Sequence, residues 1–171
     1  MQKTVPHIPE GSKILDIGTA DGQLFKLIKH RIKSGLGIDP NLSEPVACVR
    51  YRLIPGLFPE GIPKSEKFNV ITMLAVIEHF PEDLLLQCDR ICSDLLLPSG
   101  YVIITVPSKY CDAILKALKF LRLIDGLSLN EHHGFEVSMI GEIFPKKSFQ
   151  LIYKKRFQLG FNNLFVFQKN R

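Results

Sequence analysis

The chain has no tryptophan, only three methionines and only four cysteines in 171 residues. No apolar run approaches the roughly 18 residues that a membrane-spanning helix needs. The opening stretch, MQKTVPHIPEGSK, lacks the apolar core of a secretory signal, so cytoplasmic residence is the expectation. Cys48, Cys88, Cys92 and Cys111 form no CxxC pair and have no zinc-finger spacing. Cys88 and Cys92 stand one helical turn apart among apolar residues and read as buried thiols. Charge of one sign is also scarce: 22 basic against 17 acidic residues leave +5, thinly spread. No basic stripe interleaved with aromatics is present, which argues against nucleic acid as a partner. Gly-Lys-Ser/Thr is missing too, and with it a phosphate loop.

What is there suffices for one domain over residues 1–171, with 46% hydrophobic residues. Lys13 to Ile17 reads as a first strand, Leu24, Ile28 and Ile32 as one helix face, and GLGID (35–39) as a second strand. Strand, helix and strand within so short a span make a parallel βαβ unit. Leu42 to Tyr51 is expected to be a second helix despite Pro45, and Tyr51 to Ile54 a third strand. FNVITM (68–73) and YVIITV (101–106) read as buried strands on either side of a helix that starts at Pro81. A helix over Cys111 to Ile124, a loop SLNEHHG and a short helix near Val137 to Ile143 follow. Phe149 to Phe157 and Leu164 to Gln168 close the chain as an antiparallel hairpin.

The first strand runs into a glycine turn, ILDIGTADG (14–22). Gly18 and Gly22 permit close backbone approach to a ligand, and the helix that follows points free N–H groups at it. A dinucleotide fingerprint would need glycine at 18, 20 and 23, but Ala20 and Gln23 stand at the last two. Asp16 and Asp21 flank the turn, where a pyrophosphate would meet like charge and an ammonium group would be welcome. Asp39 ends the next strand, 21 residues after Gly18, where an acid can accept hydrogen bonds from ribose hydroxyls. An adenosine with an amino-acid tail satisfies both ends.

ILDIGTADG resembles the first motif of class I S-adenosylmethionine-dependent methyltransferases, commonly hhDhGxGxG with h apolar. GLGIDP, FNVITMLAVIEHFPED and LLLPSGYVIITVPS resemble that family's later strand motifs in order and spacing, over about residues 12–108. The resemblance implies an α/β, Rossmann-like doubly wound fold. Its seven strands would lie in the order 3-2-1-4-5-7-6, with the seventh antiparallel and a helical insertion over about 109–145. It also implies S-adenosylmethionine as cofactor. Asp16, Gly18, Thr19, Ala20, Asp21 and Gly22 would cradle the methionine part, Asp39 and Pro40 the ribose side, and Leu74 would line the cofactor by its backbone. Gly56 and Leu57 fall where the family often has an acidic adenine contact, and neither is an acid. Asn69 replaces a frequent aspartate.

The implied activity is methyl transfer to a small-molecule, sugar or lipid-type acceptor, at oxygen or nitrogen. His79, His132 and His133 are the candidate general bases or acceptor contacts, since histidine takes protons near neutral pH. Tyr110 is a weaker candidate. Glu78-His79 resembles part of the Glu-x-x-Glu-His metal site of quinone-type O-methyltransferases, but Ala75 stands at the first acid position. No metal is expected. The Cys111 to Ile124 helix pairs a wide apolar face with Lys116, Lys119 and Arg122. It reads as a core helix, with a dimer interface, a lid or a membrane-surface helix as the other readings. The short stretch before the first strand predicts an open cofactor cleft, or one that a second subunit completes. A competing reading is a non-catalytic cofactor-binding or regulatory protein on the same fold.

Overall fold

The computed structural model describes residues 1–63, 65–108 and 136–171. The elements are β1 (Lys13–Ile17), α1 (Gln23–Ile28), β2 (Ser34–Asp39), β3 (Val46–Ala47), β4 (Tyr51–Pro55) and β5 (Phe68–Leu74). After them come α2 (Glu82–Leu85), α3 (Cys88–Leu95), β6 (Leu96–Pro107), α4 (Ile140–Ile143), β7 (Phe149–Phe157) and β8 (Asn162–Lys169). The helix expected over Cys111 to Ile124 lies outside the described residues, as do Tyr110, His132 and His133.

Eight strands form one sheet in the order β3-β4-β2-β1-β5-β6-β8-β7. The run β4-β2-β1-β5-β6 is parallel, and β8 and β7 pair antiparallel at one end. Apart from the two-residue β3, this is the seven-strand order expected from the sequence. The architecture is Rossmann-like.

Side-chain alternation along the central strands builds a core on each face. Leu15, Ile17, Ile71, Met73, Val102 and Ile104 belong to one cluster, together with Cys88 and Cys92 of α3 and Ile140 of α4. Ile14, Val70 and Ile103 belong to the other, with Leu24, Phe25 and Ile28 of α1. Each fully buried side chain of this size contributes about 1.5–3 kcal/mol. These strands are apolar on both faces because helices cover both. Cys88 and Cys92 are fully buried free thiols with sulfurs 4.0 Å apart. Burial holds the Cys92 thiol well above the usual range.

One expected helix is absent. Residues 42–50 form bends and the short β3, paired antiparallel to β4 through Val46 and Leu53. Pro45 removes a helical N–H, and residues 43–50 are all exposed, so no apolar stripe holds a helix against the sheet. The helix expected from Pro81 is divided: α2 stops at Leu85 and α3 begins at Cys88. Asn69 has a clear structural task, because its Oδ1 accepts the Lys13 N–H at 2.8 Å and ties β5 to the start of β1.

Candidate active site

The register aligns the carboxyl ends of five parallel strands. Ile17 pairs with Ile38 and with Met73, Asp39 with Pro55, and Leu74 with Thr105. Strand order reverses at β1, where open α/β sheets form their ligand crevice. Gly18 and Thr19 both donate backbone N–H bonds to the Ile38 carbonyl, at 2.9 and 3.2 Å, which bends the turn over β2.

Gly18 has φ +70°, and a Cβ there would lie 2.3 Å from Val76 Cγ2. No other residue fits without displacing Val76. Gly22 caps α1 at φ +76°. Ala20 also adopts a left-handed backbone, φ +47°, although it carries a Cβ. Its N–H donates to Asp39 Oδ2 at 2.8 Å, and the Asn41 N–H donates to Oδ1 at 2.9 Å. Asp39 thus locks the first turn to the end of β2. A carboxylate offers about four lone-pair sites, so two remain for hydroxyl groups.

Asp16 and Asp21 have different surroundings. Asp16 is 4% exposed, and its Oδ1 accepts the Thr72 hydroxyl at 2.5 Å. Burial raises its pKa from 3.8 to about 6; Thr72 opposes the shift, and nearby Asp39 adds to it. Thr19 also opposes it by proximity, although the Thr19 hydroxyl closes no hydrogen bond and is left buried without a partner. Asp21 is on the surface, paired with Lys26 at 3.1 Å and bonded to Gln23 Nε2 at 2.9 Å. Lys26 first, then Gln23, hold its pKa below the ordinary value. The buried acid beside the turn is Asp16.

On the α2–α3 side of the turn lies a cleft of about 420 Å³. Gly18, Pro40, Gly56, Leu57 and His79 all line it. Its apolar walls include Ile38, Val76 and the stacked rings of Phe58 and Phe80, 5.8 Å apart. Asp16 shares the opposite side with Ile14, on the same face as α1. Leu74 is partly buried against that same cluster, and the cleft wall near it is Val76. Two acids that the sequence reading passed over stand on the cleft wall, Glu60 and Asp83. Glu60 sits four residues past Gly56, so an acid search widened by one turn of chain would have found it.

The residues suit an elongated adenosine-type ligand lying across the turn. Such a ligand could set a flat ring in the apolar cleft, hydroxyls toward Asp39 and a cationic end toward Asp16. The Thr19 hydroxyl, buried without a hydrogen-bond partner, is a group that a closely approaching ligand would use. Among the described residues no three His, Cys, Asp or Glu side chains are grouped to hold a metal ion. No described helix is long and apolar enough to cross a membrane.

Comparison with known proteins agrees with this geometry. A family model described as a methyltransferase domain matches residues 1–153. The ubiquinone biosynthesis O-methyltransferase of Psychrobacter arcticus is 28% identical over 140 residues, 72% of this chain and 53% of that protein. The chain therefore spans about half the length of the curated relatives it matches. Among solved structures, an S-adenosylmethionine-dependent methyltransferase from Methanosarcina mazei superposes with TM-score 0.69 at 15% identity, covering 99% of this chain and 98% of that one. The N-methyltransferase NodS from Bradyrhizobium japonicum gives TM-score 0.67 at 12% identity, over 99% and 92% of the two chains. At these identities the structural matches speak for the fold alone. Taken with the family match, they place the chain among the class I S-adenosylmethionine-dependent methyltransferases.

Proposed function

We propose that the chain binds S-adenosylmethionine across the Gly18–Gly22 turn and transfers its methyl group to an oxygen or nitrogen of a small-molecule acceptor. The observation that carries this reading is the placement of Asp16 and Asp39 on the two sides of one glycine turn, with an apolar cleft beside it.

The bound cofactor supplies a methyl group already activated on a sulfonium, so the protein's task is alignment and exclusion of water. Asp16, ionised, pairs with the ammonium of the amino-acid tail. Asp39 accepts from ribose hydroxyls while its backbone bonds keep the carboxylate in place. Phe58, Phe80 and Ile38 sandwich the adenine, and the exocyclic amino group finds an acceptor in Glu60 or Asp83 on the cleft wall. His79, which lines the same cleft, is the candidate group to take a proton from an oxygen acceptor.

Calorimetric titration with S-adenosylmethionine, followed by labelled-methyl transfer into fractionated cell extract, tests both halves. No cofactor heat overturns the site. Cofactor binding with no labelled product in any fraction favours a non-catalytic binding protein.

A further inference from the structure

A groove of about 280 Å³ lies between α2–α3 and α4 and shares no lining residue with the cofactor cleft. Leu85, Leu86, Met139 and Ile143 give it an apolar floor, and Glu82, Asp89 and Glu142 stand along it as acids. Lys147 is the one cation among its described lining residues. Leu86 is 77% exposed, and with apolar side chains around it the leucine belongs to a patch rather than standing alone.

β7 begins at this groove. The Ser148 hydroxyl donates to Asp89 Oδ2 at 3.1 Å, and Phe149 packs edge-on against Phe144 just past α4. From there β7 forms one outer edge of the sheet. Leu151 pairs with Phe167 and Lys154 with Phe165, and both rings belong to the cluster under α3 and α4. Side chains opposite each other in a ladder share a face, so Leu151 and Lys154 lie on the groove's side of the sheet. The Lys154 ammonium accordingly sits 5.2 Å above the Phe165 ring. Arg156 follows on the same face by alternation. Leu151 and the bulged Ile152 are 45% and 46% exposed, and Lys154 and Arg156 are exposed too.

Neither row of charge is answered within the chain. The ion pairs among the described residues join Lys13 and Arg52 to Glu66, Lys26 to Asp21, and Arg31 to Glu10, and none involves the groove or β7. One row sets acids beside exposed leucine, the other sets bases beside leucine and isoleucine, and both occupy one side of the sheet. Such a surface is complementary to itself. A two-fold axis lays the acidic groove of one copy against the basic row of the other, and the reverse. Edge-to-edge pairing of two β7 strands is disfavoured, because Lys154, Lys155 and Arg156 line that edge with like charge. We infer that this face is the interface between two copies of this chain, with Leu151, Ile152, Lys154 and Arg156 of one copy seated in the groove of the other. α2 carries a wall of both sites: Asp83 and Leu84 line the cofactor cleft, and Glu82 and Leu85 line the groove. Pairing therefore braces the cleft from its outer side. That consequence rests on the methyl-transfer reading, and the interface itself does not.

The test is sedimentation velocity of the full chain, without cofactor, across the micromolar range. The parent protein is expected to dimerise. One variant reverses the acidic row, Glu82→Lys with Glu142→Lys, and another reverses the basic row, Lys154→Glu with Arg156→Glu. All four side chains are exposed, and each variant should weaken the dimer at least about tenfold. Mixed in equal amounts, the two variants should associate with each other, because one then carries two basic rows and the other two acidic rows. A parent that stays monomeric overturns the proposal and leaves the groove to another occupant. A dimer indifferent to both reversals overturns it, as do reversed variants that fail to associate when mixed. A separate titration with S-adenosylmethionine distinguishes failure of the methyl-transfer reading from failure of the interface.

Discussion

Thr72 Oγ1 donates to Asp16 Oδ1 at 2.5 Å, across the register pair that joins β5 to β1. One hydroxyl is thus set against the burial of a whole carboxylate, and burial prevails: the Asp16 pKa rises from 3.8 to about 6.

This sign fixes a stability profile. Below pH 3.8 Asp16 is protonated in both the folded and the unfolded chain and has no effect. Between pH 3.8 and about 6 the unfolded chain ionises first, so stability falls as pH rises. Above that window the full cost, about 3 kcal/mol at 1.36 kcal/mol per pKa unit, persists. Asp16→Asn is therefore expected to stabilise the ligand-free protein at pH 7 by about 1–3 kcal/mol and to have little effect near pH 4. Urea unfolding at the two pH values measures it.

The same carboxylate must ionise to hold an ammonium group. Binding of S-adenosylmethionine near pH 6 is expected to release a fraction of a proton, seen as a calorimetric heat that depends on the buffer's ionisation enthalpy. Asp16→Asn should abolish that dependence and weaken binding at least about tenfold, the equivalent of ~1.4 kcal/mol. A buffer-independent heat in the parent protein would contradict the ion pair.

Asp39 and Asp16 are separable by ligand. Adenosine carries the ribose but no ammonium group. Asp39→Ala should weaken adenosine and S-adenosylmethionine alike, and should destabilise the chain by about 1–3 kcal/mol because the Ala20 and Asn41 N–H groups lose their acceptor. Asp16→Asn should spare adenosine. Competition binding with both ligands on both variants gives the answer.

Backbone geometry predicts opposite outcomes two residues apart. Gly18→Ala must place a Cβ against Val76 at φ +70° and is expected to lose more than about 1 kcal/mol, partly restored by Val76→Ala. Ala20→Gly removes the left-handed penalty at φ +47° and is expected to gain up to about 1 kcal/mol after the entropy of the extra glycine is counted. Thermal unfolding of the three variants checks both signs.

Much of the scaffold was readable because strong local signals agreed with the global packing. KILDI, FNVITM and YVIITV are too apolar to be anything but central strands, and the hairpin after Phe149 fell where alternation and a glycine turn placed it. Leu42 to Tyr51 misled because a few scattered apolar residues and tolerable helix formers outweighed Pro45, and no tertiary contact existed to enforce a helix. The positions of Asp16 near the end of β1 and Asp39 at the end of β2 were legible from spacing, since strand ends fix where an acid must stand. The contrast between Asp16 and Asp21 was not, because the burial of Asp16 and the ion pairing of Asp21 with Lys26 belong to the folded molecule. Glu60 and Asp83 were missed for a similar reason: Glu60 reaches the cleft wall from the turn after β4 and Asp83 from α2, and both positions depend on Phe58 and Phe80 packing together.

The antiparallel seam between β6 and β8 also sets the order of events during synthesis. Ile103 and Ile104 of β6 find their partners in Val166 and Phe165, roughly 60 residues later in the chain. At about 5–20 residues per second, the ribosome takes several seconds to supply them. During that interval a twelve-residue apolar strand has only β5 to pair with, and its other edge stands open. The nascent chain should be most prone to aggregation, and most in need of a chaperone, between the emergence of β6 and the arrival of β8.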